Sequence, residues 1–154
     1  MRTTKFLILF VLLCFKLSNA QESTQQSLQG KWTLIALDAM QSEGFYLDLA
    51  NNSYEISDEY KKIITPENES NIKATIIQFT ERFKDNFVLF EQNNIQRVIA
   101  GDENKGTFII KNNNDKSFLN INYNNNIKDS LEFFIKDKRL HIIVDNEADF
   151  IFTK

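Results

Sequence analysis

The chain is poor in the residues that build covalent or metal-held frameworks. It has one cysteine, one histidine, one tryptophan, one proline and four glycines in 154 residues. The cysteine, Cys14, lies in an apolar N-terminal run. No cysteine follows it, so the body of the chain can form no disulfide, whatever its compartment, and no Cys-type zinc site. A single histidine with no second histidine or cysteine beside it supplies no transition-metal ligand set. No Gly-x-Ser-x-Gly elbow and no phosphate-cradling glycine loop occurs. "GDENKG" at Gly101 to Gly106 lacks the ligand spacing and terminal Glu of a calcium loop and reads as a solvated turn. These absences leave little ground for an enzyme, and no metal or cofactor is expected.

A basic surface is also missing. The net charge is −3, which argues against nucleic acid as a partner, since phosphate binding needs a basic patch. The N-terminus reads as a secretory signal: Arg2 and Lys5 precede the apolar run Phe6 to Phe15, and Ser18-Asn19-Ala20 offers small residues at a cleavage site. The run falls short of the about 20 apolar residues of a membrane span, so no stable membrane insertion is expected after cleavage. Leu13 before Cys14 does not suit lipidation, which needs a small residue there. The expected organisation is a signal peptide at 1–20, a flexible polar lead-in at 21–29 and one domain at 30–154. The mature protein is expected to be periplasmic or secreted. Loss of Arg2, Lys5 and Lys16 with the leader takes the net charge to −6.

What the chain does have is phenylalanine, 14 in all, and asparagine in runs such as Asn112 to Asn114 and Asn124 to Asn126. Asn tolerates left-handed backbone, so those runs read as turns. Lys31 to Asp38 alternates as a strand with apolar residues on both faces: Trp32, Leu34 and Ala36 on one, Ile35 and Leu37 on the other. Gly44 to Ala50 is a short strand or an extended cover. Thr65 as N-cap, Pro66 at the first position and acids at Glu67 and Glu69 predict a helix over 66–84. Its apolar face is Ile72, Ile76, Phe79 and Phe83, which suits packing on the domain.

From Phe87 the period becomes that of strands. Seven segments follow, at 87–91, 95–100, 106–111, 117–123, 130–136, 139–144 and 149–153. The links are too short for crossover helices, so neighbours must run antiparallel as a meander. Asp137-Lys138 is the tightest link, a two-residue hairpin without the usual glycine. With the Trp32 strand the count is about eight, the number of an up-and-down barrel. The expected fold is therefore mainly β: an antiparallel meander barrel with one amphipathic helix between its first and second strands.

Gly30-Lys31-Trp32 at the head of the first strand resembles the Gly-x-Trp signature of lipocalins. Gly106-Thr107-Phe108 is similar to the Gly-Thr-aromatic strand of the small lipocalin-like domain proteins exported by bacteria. The resemblance implies an extracytoplasmic barrel binding a small apolar or amphipathic molecule. It also implies a basic residue packed on the tryptophan, for which Lys154 is the nearest candidate. The alternative is a filled barrel acting as a structural or protein-interaction module without a small ligand. The residues expected to line a binding site are Trp32, Arg97, Phe108, Phe118, Phe133 and Phe150. Arg97 shares a strand face with Ile95 and Ile99, so an inward Arg97 would meet a ligand carboxylate. His141 alternates out of phase with Leu140, Ile142 and Val144 and belongs on the solvent side of its strand.

Overall fold

A computed structural model describes residues 24–145 and 147–154; the expected signal peptide lies outside the described residues. Residues 24–28 form a helical turn, α1. Then come β1 (Gly30–Ala39), β2 (Phe45–Asp48), β3 (Ser53–Ile56), α2 (Asp58–Lys61) and α3 (Glu69–Phe83). The remainder is β4 (Phe87–Glu91), β5 (Asn94–Ile99), β6 (Asp102–Asn113), β7 (Lys116–Tyr123), β8 (Lys128–Lys136), β9 (Arg139–Val144) and β10 (Ala148–Thr153). β4 to β10 pair in sequence, and β1 bridges β10 and β4, all antiparallel. This closes the eight-stranded barrel that the alternating pattern and short links predict. No helix among the described residues is long and apolar enough to cross a membrane.

The turns follow local chemistry. Asn52, Asn114 and Asn126 take positive φ, as do Asp137 at 51° and Lys138 at 63°. The β8–β9 link is thus a two-residue turn of the kind whose twist matches its strands. The expected loop at 101–105 shrinks to Ala100-Gly101, because Asp102–Lys105 pair with Gln96–Ile99. That strand end carries polar residues on both faces, so hydrophobic alternation gives no sign of it.

β1 is the seam of the barrel. Gly30–Thr33 pair with β4, and Ala36–Ala39 pair with β2 on the same edge. Between them the Leu34 N–H donates to the Asn86 carbonyl and the Ile35 carbonyl accepts from the Leu49 N–H, both at 2.8 Å. The edge therefore stays satisfied while the barrel gives way to the β2–β3 hairpin. A register shift between Leu34 and Ala36 changes the facing of the strand. Trp32 and Leu34 join the barrel core, whereas Leu37 and Ala39 pack with Leu47 in a second cluster.

α3 starts three residues later than its sequence signals predict. Asn68, not Thr65, is the N-cap, and it makes no capping bond. Its side chain instead accepts from the Thr65 N–H at 2.7 Å and donates to the Ile63 carbonyl at 2.9 Å. Those bonds hold Pro66 and Glu67 in a turn ahead of the helix. Only Phe83 of α3 is buried, and Phe79 is 42 % exposed.

Candidate binding site at the barrel mouth

One end of the barrel is a packed floor. Trp32 is 3 % exposed, and its indole N–H donates to the Leu28 carbonyl at 2.6 Å. Lys154 stands 4.7 Å over the Trp32 ring and donates to the Ser27 carbonyl at 2.9 Å. The basic residue implied by the resemblance is thus in place. Gly30 has φ +106°, a backbone conformation that glycine adopts without strain, so it permits the turn of the chain into β1. The lead-in, expected to be flexible, is from residue 24 a docked helical turn that buries Leu28 completely. Gln25 and Gln29 fasten it to the β4–β5 turn through Asn93 and Gln92. Phe108 packs edge-on to Phe90 at 5.1 Å between ring centres. Phe133 is 2 % exposed in the same core.

Above this floor lies a cavity of about 140 Å³. Ten of its eleven lining residues are apolar, including Ile99, Leu131, Ile142, Val144 and Phe150; the eleventh is Arg97. The Arg97 Nη1 is 3.7 Å from the Asp129 Oδ2, and its guanidinium carbon lies 5.3 Å from the centre of the Tyr123 ring. The Arg97 Nε and the Tyr123 hydroxyl are both buried and without a hydrogen-bond partner in the protein. Burial holds the Tyr123 phenol above its ordinary pKa and Asp129 adds to this, while the Arg97 charge opposes it. The Arg97 guanidinium thus stands in the cavity wall with Asp129 beside one of its terminal nitrogens and with its Nε unpaired, next to the unpaired Tyr123 hydroxyl, an arrangement suited to an incoming carboxylate or carbonyl oxygen.

Of the six expected liners, Arg97 and Phe150 line the cavity. Trp32, Phe108 and Phe133 are buried in the packed core instead. Phe118 is half-buried on the opposite face of β7 from Leu119, Ile121 and Tyr123, and is no part of the lining. Its ring size suggested a liner, but its neighbours Asn120 and Asn122 share its outward parity. Tyr123 and Asp129 were missed, although Tyr123 follows Leu119 and Ile121 at strand spacing and Asp129 precedes Leu131 in the same way.

A second, larger space lies outside the barrel. A cleft of about 370 Å³ separates α3 from the β2–β3 hairpin, with Phe45, Leu47, Ile56, Tyr60, Ile76 and Phe79 among its walls. On the outer barrel surface, His141 is more enclosed than its outward position suggests. It stacks on Phe134 at 4.5 Å, and its Nδ1 lies 2.8 Å from the Asp149 Oδ2. Burial raises the Asp149 pKa against the lowering effect of that bond.

Comparison with protein-family models, curated proteins and solved structures gave no match. The lipocalin-like resemblance rests on the two Gly-containing triplets, Lys154 over Trp32, and the closed barrel itself.

Proposed function

We propose that this chain is an exported, non-catalytic, lipocalin-like barrel that binds a small amphipathic molecule. The acceptor end of the ligand meets the Arg97 Nε and the Tyr123 hydroxyl, and its apolar part fills the space beside Ile99, Leu131, Ile142 and Phe150. The observation that carries this reading is Arg97 in the wall of an otherwise apolar cavity, its buried Nε unpaired, with the Tyr123 ring 5.3 Å from its guanidinium carbon and the Tyr123 hydroxyl also buried and unpaired. Asp129, at 3.7 Å from Arg97, is the resting counter-ion that a ligand carboxylate replaces. The volume restricts the ligand in the resting state. A cavity of about 150 Å³ takes a molecule the size of benzene, so 140 Å³ suits a short-chain or monocyclic carboxylate, not a retinoid or haem. Export rests on the leader pattern at 1–20, and a mature N-terminus at Gln21 on the secreted or periplasmic protein is its check.

The second reading, a filled barrel serving a structural or interaction role, has its own support. The cavity is smaller than the roughly 300–1,000 Å³ of ordinary ligand pockets. Calorimetric titration with hexanoate, benzoate and hexanol separates the two. The binding reading expects the acids to bind, hexanol to bind more weakly, and Arg97→Leu to weaken the acids by about 10- to 100-fold, the scale of hydrogen bonds to a charged group. No heat with either acid at millimolar concentration, or equal binding by Arg97→Leu, leaves the filled barrel as the answer.

A further inference from the structure

A line of aromatic rings connects the outer cleft with the interior cavity. Phe45 and Phe79 wall the cleft with ring centres 6.3 Å apart. Phe79 stacks on Phe83 at 6.1 Å, and Phe83 meets Phe150, a wall of the cavity, edge-on at 5.8 Å. Phe83 thus touches one wall residue of the cleft, Phe79, and one of the cavity, Phe150, and it is the one buried residue of α3. The helix carrying it is lightly held. Its N-cap side chain makes no capping bond to the helix, Ile72 and Ile76 are half-buried, and Ile77 and Phe79 are exposed. Its C-terminal end passes through Lys84 in extended backbone and Asp85 at φ 61°, and Asn86 then secures the chain to β1. Elements with little buried apolar surface open at low free energy. A two-residue reversal next to a fixed point is where such a helix would swing.

We propose that cavity and cleft are two chambers of one pocket, with Phe83 as the gate and α3 as its lid. The occupant is a medium-chain carboxylate whose head sits at Arg97 and whose tail runs past Phe150 into the cleft. This rests on the binding reading above and extends its ligand class. The inner chamber alone is too small for such a tail, whereas the two volumes together fall within the roughly 300–1,000 Å³ of ligand pockets. Phe45, Tyr60 and Phe79 give the tail an apolar wall that water now meets.

The gate is tested without any ligand. Ile142→Cys places a thiol in the inner chamber, and Ile110→Cys places one in the core away from it; both sites are buried. Alkylation by iodoacetamide is followed by peptide mass in the full chain, with Cys14 scored separately. Phe83→Ala is expected to speed labelling at position 142 at least tenfold and leave position 110 unchanged, with Phe83→Leu giving a smaller rise should the alanine variant fold poorly. Equal acceleration at both positions, or none at 142, overturns the gate. The ligand class is tested by a chain-length series from hexanoate to decanoate on the unaltered protein. Each methylene is expected to tighten binding about fourfold, the equivalent of burying one CH₂. Hexanoate binding with no gain towards decanoate overturns this inference alone. No binding by any acid overturns it together with the reading it rests on.

Discussion

At the Trp32 end of the barrel the indole N–H, the Lys154 ammonium and the Gln25 and Gln29 amides all have partners. At the Arg97 end, a guanidinium nitrogen and a phenol hydroxyl have none. The two ends are built from the same strands, so the difference is one of closure. The floor is sealed by a segment that enters it, residues 24–28, and by Lys154 lying over Trp32. Beside the mouth lies α3, which buries only Phe83 and meets the barrel through Phe83 on Phe150 and the Arg82 bond to the Ala100 carbonyl. Satisfied polar networks in dry surroundings rigidify a core, and unsatisfied ones are costly. Stability therefore concentrates at the floor, while the mouth carries a cost that a ligand could relieve.

The largest test of that division is Trp32→Ala. Removing a buried aromatic side chain costs about 3–5 kcal/mol, and here it also takes the ring from under Lys154 and the indole donor from the Leu28 carbonyl. Urea unfolding should show a loss of that size. A loss below about 0.5 kcal/mol, the size of an ordinary surface change, would mean the floor is not where the fold is held. Gly106→Ala is next. An added Cβ would run into the Asn122 carbonyl oxygen and the Tyr123 Cα of β7, so the strands must separate locally at about 1–3 kcal/mol. This position also supports Tyr123, so the same variant should disturb the mouth. An unchanged urea midpoint would show that β6 and β7 can part there freely.

Much of the floor was legible because its signals are local. Alternation located seven of the barrel strands to within a few residues, and the two triplets marked Gly30, whose φ of +106° favours glycine, and Gly106, where a side chain would collide with β7. The β2–β3 hairpin was only half seen. β3 reads Ser-Tyr-Glu-Ile with three of its four residues exposed, so no buried face betrays it. The mouth was legible in part. Arg97 stood out as a cation on an apolar strand face, and Phe150 as one of the strand aromatics. Tyr123 and Asp129 did not, since each ends a strand where the apolar pattern stops and a turn begins. The ring line from Phe45 to Phe150 joins residues over one hundred positions apart, and nothing in local periodicity encodes that meeting.

The finest comparison concerns one oxygen atom at the mouth. Tyr123→Phe removes the unpartnered hydroxyl and keeps the ring under Arg97, so near neutral pH stability should hold or rise by up to about 1 kcal/mol, unlike any change at the floor. The difference should depend on pH in a fixed direction. Burial raises the Tyr123 pKa above its ordinary value, so the folded state keeps the proton where the unfolded chain, titrating at about 10, has begun to lose it. A group that binds its proton more tightly when folded contributes stability fully below the unfolded pKa and loses it as pH rises through the folded one. Wild type should therefore weaken relative to Tyr123→Phe as pH climbs above about 10. Urea midpoints for the two proteins from neutral to alkaline pH read this directly. Curves that stay parallel would mean the hydroxyl is solvated, and with it would go one of the two donors assigned to the ligand.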